Sequence, residues 1–365
     1  MSRARRQRRV HDRLSNARTA VLVIASIEGD VDRIMDEMKR IFSGMRPTGK
    51  LHYGHMAGAL INWVKLQDQY NCFWGIVDWH AMMSDYADSA RVKSNCLEIL
   101  LDWLAVGVDP EKSSIFIQSH VKQHAEIHLA LSMITPLGWL ERCPTYKEQI
   151  LNLQNKDLST YAFLGYPVLM AGDILLYKSF AVPVGEDQGP HLELTREVAR
   201  RFNYFYGNVF PEPEILLTPT AKMPGTDGRK MSKSYGNALD IADDMETIWN
   251  KLRTMTTDPA RERRKDPGTP EKCPVWDIQK FFNKDTEEMA ELHDGCVTAG
   301  IGCIDCKKKL MSHLEEMMAP IQKRRALFET RHDDLIQILE LGAARARKVA
   351  EQTMEEVYTA MGLLH

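Results

Sequence analysis

The sequence predicts an α/β protein, a doubly wound parallel sheet with a helical insertion, followed by an all-α domain. Three observations carry this. Short apolar runs alternate with stretches of helical spacing from Lys39 onward, the β signal stops after about residue 238, and the remainder shows helical periodicity only. A chain of 365 residues, 44% hydrophobic and 27% charged, is ordinary for two or three globular domains. No apolar run approaches the ~20 residues of a membrane-spanning helix. Composition also excludes collagen-like, coiled-coil and fully disordered chains.

The first strand is the short buried run Ile41-Phe42-Ser43-Gly44. Met56, Leu60, Trp63 and Val64 then recur at i, i+4, i+7 and i+8, the mark of one helix face. Cys72 to Val77 is a continuous apolar run, as in a strand buried on both faces. A helix over about 88–105 closes at Gly107 and Asp109-Pro110. Ile115 to Ile117 is the third strand, and a helical insertion occupies about 121–175. Ala181 to Val184 and Ile215 to Leu217 are the fourth and fifth strands. Beyond residue 238, Leu335, Ile338 and Leu339 form one apolar stripe, and Ala350, Met354, Val357 and Met361 another, with Gly342 as a break between them. The chain thus divides at 37/38 and 237/238. Ligands of a doubly wound sheet bind at the carboxyl ends of its strands.

Residues 1–37 are read as a disordered or spurious N-terminal extension. Seven arginines stand there against Asp12 within residues 1–18, ahead of a short apolar run from Ala20 to Ser26. That run is at the lower edge of a secretory h-region, and the arginines also suit a transit peptide. Without residues 1–18 the chain holds 40 basic and 49 acidic residues, so a nucleic-acid partner must meet local basic patches.

Two segments have the chemistry to handle phosphates. Residues 44–55 run from a strand end through a Gly/Pro turn into a helix start at Gly54-His55. A helix N-terminus offers free N–H groups to an anion, Gly54 lets it approach the backbone, and His52 and His55 are donors. Residues Lys230-Met231-Ser232-Lys233-Ser234 follow a Gly-rich stretch and place two cations and two hydroxyls on one loop. Such a loop suits charge stabilisation in nucleotidyl transfer. Elsewhere, Asp173 sits on an apolar helix face, where a carboxylate needs a donor.

His52-Tyr53-Gly54-His55 and Lys230 to Ser234, in this order around a Rossmann-like sheet, resemble the HIGH and KMSKS signatures of class I aminoacyl-tRNA synthetases. Tyr166 to Tyr177 and Val182 to His191 resemble the tryptophanyl-tRNA synthetases, a likeness extending from about Arg40 to the C-terminus. The resemblance implies an ATP-dependent tryptophan–tRNA ligase, working through tryptophanyl-adenylate and charging the 3′-terminal adenosine of tRNA(Trp). It implies Asp173 as acceptor of the indole N–H, Tyr166 and Gln188 at the ammonium, and Phe42, Met170, Val182 and Val184 around the ring. Arg46, Pro47, Thr48, Gly54, His55, Gly185, Glu186, Asp187, Met223 and Lys230 to Ser234 would line the Mg·ATP site. Catalysis would fall to His52, His55, Lys230 and Lys233. Arg46, His52 and His55 depart from the Gln-Pro-Ser and Thr-x-Gly-Asn found in many bacterial members. A cytoplasmic homodimer is also implied, and Ile127, Leu129, Leu131, Met133, Ile134, Leu137 and Leu140 make the insertion apolar. The rivals are a tyrosyl enzyme, a synthetase-like regulatory protein and a small-metabolite nucleotidylyltransferase.

Of the seven cysteines, Cys72, Cys96 and Cys143 lie among apolar neighbours and are read as core. Cys273, Cys296, Cys303 and Cys306 crowd into C-x22-C-x6-C-x2-C. This spacing resembles a subset of tryptophanyl-tRNA synthetases that carry a [4Fe–4S] cluster in the anticodon-binding domain, here 238–365. A structural zinc site with four cysteine ligands uses the same ligand set. Lys307 to Lys309 and Arg261, Arg263, Arg264 and Lys265 flank it and suit phosphate contact.

Overall fold

The computed structural model describes residues 37–144, 146–147, 158–185, 189–217 and 223–364. Among the described residues five parallel strands form one sheet: β1 (Arg40–Met45), β2 (Asn71–Ile76), β3 (Ser113–Ile117), β4 (Ala181–Val184) and β5 (Glu214–Leu217), in spatial order β3-β2-β1-β4-β5. The order reverses between β1 and β4, and the crevice that opens at such a reversal is where doubly wound sheets bind ligands.

Alternation along the strands divides the core. Ile41, Cys72, Trp74, Ile76 and Ile115 face one side, while Phe42, Phe73, Phe116 and Val182 face the other. After β1 the chain enters α1 (Tyr53–His55), passes through a π-helical turn (Met56–Leu60) and continues as α2 (Ile61–Leu66). Trp63 of α2 stacks on Trp74 of β2 with ring centroids 4.3 Å apart. Next come α3 (Asp78–Asp85), α4 (Val92–Val106), α5 (Gln123–Ser132), α6 (Leu137–Arg142), α7 (Tyr161–Leu176) and α8 (Gly189–Tyr206). Gly107 ends α4 with φ of 120°, as its position in the sequence predicts. Thr160 caps α7 by accepting the N–H of Phe163 at 3.2 Å.

The C-terminal third is helical: α9 (Met245–Thr254), α10 (Pro274–Phe282), α11 (Thr286–Val297), α12 (Cys303–Glu329) and α13 (His332–Met361). One expectation is corrected here. Gly342 breaks nothing, because α13 runs straight through it. The missing side chain lets α13 lie on β3: a Cβ there would stand 1.9 Å from the Ile115 carbonyl oxygen. Ala343, Ala346, Val349 and Ala350 then join the cluster of Phe73 and Phe116. Cys72, Cys96 and Cys143 are buried, as expected. Among the described residues no helix is long and apolar enough to cross a membrane.

The apolar insertion is split. Ile127, Leu131, Ile134 and Leu140 are buried in the chain's own core, so they are not available to a partner. Leu129, Met133 and Leu137 are 58%, 64% and 62% exposed. Tyr204 and Phe205 of α8 are exposed as well.

Candidate active site

A cavity of about 340 Å³ opens at the carboxyl ends of β1 and β4. Its size suits a small ligand. Phe42, Met170, Val182, Val184 and Tyr166 line it, together with Arg46, Gly185 and Asp173. Six of the seven residues expected around an amino acid therefore line one cavity. Glu186, Asp187 and Gln188 lie outside the described residues. Gly58 and Ala59 of the π-helical turn complete the side toward the first signature. Single π turns are frequent beside functional sites.

Asp173, 2% exposed on α7, is the charged centre of this lining. Gln118 Nε2 donates to Oδ1 at 2.7 Å and to Oδ2 at 2.9 Å. His124 Nδ1 donates to Oδ1 at 2.7 Å, and His124 Nε2 faces the Tyr177 hydroxyl at 2.8 Å. His80 Nε2 meets Oδ2 at 3.0 Å. Burial alone would raise the Asp173 pKa, but the two histidines hold it down at about 2. The group is thus a fixed carboxylate at neutral pH. Sequence reasoning missed His80, Gln118, His124 and Tyr177. The available signal was position: Gln118 immediately follows β3 and His80 lies just after β2, at the carboxyl ends of parallel strands.

The two phosphate-handling segments meet. The N–H of Tyr53 donates to the Leu239 carbonyl at 2.9 Å, and that of Ile241 to the Leu51 carbonyl at 2.9 Å. His52 pairs with Asp240 in an isolated antiparallel bridge. Lys233 Nζ reaches the Thr48 carbonyl at 3.3 Å, which brings the loop over the Arg46-Pro47-Thr48 turn. Asn237 shapes the loop, with Oδ1 accepting the Ser232 N–H at 2.8 Å and Nδ2 donating to the Lys230 carbonyl at 3.2 Å. Met223 and Met231 are buried beneath it, joined by a backbone bond of 3.1 Å. Ser232 and Ser234 hydroxyls are 2.8 Å apart, and Lys230 is exposed.

The rings of His52 and His55 lie 3.8 Å apart. The His52 N–H donates to His55 Nδ1 at 3.3 Å, so the neutral His55 ring carries its proton on Nε2. Burial, with Lys233 nearby, lowers the His52 pKa to about 4. Burial, then His52 and Lys233, lowers that of His55 to about 3. Both rings are neutral hydrogen-bond donors at pH 7, and the lysines supply the positive charge. A Cβ on Gly54 would come within 2.9 Å of the His52 ring, which explains glycine between them.

The four C-terminal cysteines come from the N-terminus of α10, the last turn of α11 and the first turn of α12. Burial raises the Cys306 pKa to about 11, and the thiols of Cys273, Cys296 and Cys303 are near enough to add to this. Burial also raises Cys273 and Cys296. Polar donors already address the sulfurs: Arg261 Nη1 stands 3.7 Å from Cys296 Sγ, and Gln279 Nε2 3.6 Å from Cys306 Sγ. Such N–H···S contacts are what thiolate ligands use around them. Among the described residues, no three His, Cys, Asp or Glu side chains stand close enough to share a single metal ion.

Two of the flanking cations are not free for phosphate. Lys307 is 3% exposed, and its Nζ donates to the carbonyls of Arg253 and Met255 at 3.0 and 2.6 Å. Arg261 is 8% exposed and donates to the Arg264 and Ile301 carbonyls. Lys309 pairs with Glu288 at 2.9 Å. Arg263, Arg264, Lys265 and Lys308 remain at the surface.

Residues 36–319 match the family of tRNA synthetases class I (W and Y). The tryptophan–tRNA ligase of Thermotoga maritima is 54% identical over 329 residues, covering 89% of this chain and 99% of that protein. That of Aquifex aeolicus is 43% identical, covering 89% of this chain and all of the other. The crystal structure of Campylobacter jejuni tryptophanyl-tRNA synthetase complexed with ADP and tryptophan superposes with a TM-score of 0.80 at 34% identity, covering 89% of this chain and 100% of that one. With the two signatures packed against each other, with Arg46 beside the turn that Lys233 reaches lining the cavity at the sheet's reversal, and with relatives matched over nearly their whole length, the chain belongs to the class I tRNA synthetases, among the tryptophan–tRNA ligases.

Proposed function

We propose that the cavity and the two signature segments form one adenylation site. Tryptophan lies with its ring among Phe42, Met170, Val182 and Val184, its ammonium at Tyr166 and Gln188, and its indole N–H at Asp173. The observation that carries this is the ionised Asp173 among the apolar side chains Phe42, Met170, Ile174, Val182 and Val184 that line the same cavity. A carboxylate has about four lone-pair positions, and Gln118, His124 and His80 already use them. His80 is the donor that also lines the cavity. The indole N–H therefore takes the position that His80 holds, and Gln118 and His124 keep the carboxylate aimed. Phenylalanine has no such donor, which makes the pocket selective.

Mg·ATP lies over Arg46, Pro47, Thr48, Gly54 and Gly185, and against Glu186, Asp187, Met223 and the 230–234 loop. The tryptophan carboxylate attacks the α-phosphate, the bond to the β-phosphate breaks, and pyrophosphate leaves. No side chain acts as nucleophile. Neutral His52 and His55 donate to phosphate oxygens, and Lys230 and Lys233 balance the charge that builds on the leaving pyrophosphate. A ribose hydroxyl of the terminal adenosine of tRNA(Trp) then attacks the carbonyl of the adenylate and loses its proton, the acyl–phosphate bond breaks, and AMP leaves. On this reading residues 38–237 are the catalytic domain and 238–365 the anticodon-binding domain, and the enzyme works in the cytoplasm. Transfer of labelled tryptophan to tRNA(Trp) is the test; a chain that charges tRNA(Tyr) with tyrosine instead contradicts the assignment.

Cys273, Cys296, Cys303 and Cys306 would hold a [4Fe–4S] cluster, with zinc the alternative. The all-thiol donor set and the Arg261 and Gln279 donors at the sulfurs support the cluster, whereas among the described residues no three such side chains stand close enough to share one zinc ion. The group would supply a structural cross-link among α10, α11 and α12, with no part in the reaction. Brown protein with about four iron per chain is expected; colourless protein with one zinc overturns the iron assignment. Leu129, Met133 and Leu137, with Tyr204 and Phe205, are the exposed apolar residues left for a homodimer contact. Light scattering should give twice the monomer mass, and a monomer mass at micromolar protein refutes this.

A further inference from the structure

Asp102 lies in the middle of α4, fully buried, and is no part of the cavity or of either signature. Its two oxygens have different partners. Oδ2 accepts the backbone N–H of Leu51, the residue before His52, at 2.8 Å. Oδ1 accepts from Arg325 Nε of α12 at 2.9 Å. Arg325 is 6% exposed, and its other nitrogens are held by Glu98 at 2.6 Å and by Glu329 one turn along. A buried ion pair is seldom the best way to stabilise a core, since well-packed apolar residues often do as well or better. The Leu51 N–H gives this pair another purpose, because no apolar side chain can accept it.

The same turn of α12 also holds the chain that follows the other signature. Gln322, three residues before Arg325, donates Nε2 to the Asp243 carbonyl at 2.9 Å. Ile241 and Asp240, just ahead of Asp243, are the residues that pair with Leu51 and His52. Asp102 also acts electrostatically on Lys233. One turn of α12 thus grips the backbone entering the first signature and the backbone leaving the second. That helix is 27 residues long, about 40 Å, and begins at Cys303.

We infer that Arg325, acting through Asp102, is a positioning residue for adenylation: it fixes the height of the Leu51–His52 backbone, and so of the helix start that receives ATP. The inference rests on the assignment of that helix start to the nucleotide.

The test compares wild type with the double variant Asp102→Leu/Arg325→Met in tryptophan-dependent pyrophosphate exchange, with Tm and amide hydrogen exchange at Leu51. Removing the two buried charges together should offset most of the cost of the unpaired Leu51 N–H, so that Tm falls by no more than a few degrees and the variant stays folded. It leaves the Leu51 N–H without its acceptor, so Leu51 should lose protection. kcat should fall about tenfold or more and KM for ATP should rise, with KM for tryptophan unchanged. A double variant with wild-type kcat and KM for ATP overturns the inference and leaves the pair a structural one. If the double variant does not fold, Arg325→Lys serves, since an ammonium cannot hold Asp102 and Glu98 as the guanidinium fork does. It should lower kcat with KM for tryptophan unchanged, and an unaltered kcat overturns the inference. Absence of exchange by the wild-type chain is a separate outcome: it overturns the adenylation site itself and the inference with it.

Discussion

Replacing Asp173 by Asn changes charge without changing shape. Alanine is the wrong probe: it would strip His124 Nδ1 and Gln118 Nε2 of their acceptor inside the core, at about 1–3 kcal/mol each. That would confuse folding with recognition. Asn keeps one oxygen, which can serve His124, while its amide meets the Gln118 amide donor to donor. Tryptophan then loses a hydrogen bond to a charged acceptor, worth about 1.5–3 kcal/mol, or roughly 10- to 150-fold in kcat/KM. ATP binding is unaffected, because the signature segments do not touch Asp173. Phenylalanine, with no N–H to offer, should be used no worse than before, so the ratio of tryptophan to phenylalanine usage falls by the same factor. The assay is pyrophosphate exchange at varied amino acid and saturating ATP. A threefold or smaller loss for tryptophan, or an equal loss for both amino acids, would refute the reasoning.

Lys233→Ala should lower kcat for adenylation with little change in KM for tryptophan, because its charge is needed chiefly as pyrophosphate departs; a pure KM effect counts against it. Gly342→Ala should destabilise the fold by about 1–3 kcal/mol, although alanine normally gains about 1 kcal/mol over glycine in a helix interior. The added Cβ would collide with the Ile115 carbonyl, and a raised denaturation midpoint would show that α13 does not lie on β3 as described. His52 and His55 have folded pKa values of about 4 and 3, below the 6.5 of a free histidine. Between those limits the unfolded chain binds more protons, so their contribution is complete above pH 6.5 and is lost as the pH falls toward 4. Removing both rings should flatten the fall in Tm between pH 6.5 and 4.5, and an unchanged slope would contradict the lowered values.

The sheet was legible because β2, β3 and β4 are buried nearly throughout and read as unbroken apolar runs, while β5, at the edge, kept an apolar run although Ile215 and Leu217 are exposed; their order along the chain and their parallel direction follow from the alternation. Gly342 was misread because a glycine that ends a helix and one that lets a helix touch a strand look alike in sequence, and only packing separates them. Leu129 and Leu131 look equivalent too, yet one is 58% exposed and the other fully buried. Lys307 and Arg261 belong to a basic flank in sequence, but both are buried and spend their donors on backbone carbonyls. In the site, short-range patterns survived: the two signatures and the lone carboxylate on an apolar helix. What holds them did not. The donors to Asp173 stand 93, 55 and 49 positions away, and Arg325 stands 223 positions from Asp102. No local periodicity records such distances. They are set by which strand ends the topology brings together.

Amino-acid-dependent exchange of labelled pyrophosphate into ATP by the purified chain tests the central claim most directly, since it needs the cavity, both signatures and reversible adenylate formation at once. Exchange that requires tryptophan, and that neither tyrosine nor phenylalanine supports at equal concentration, is the predicted result. Exchange driven by tyrosine, or none with any amino acid, would contradict it.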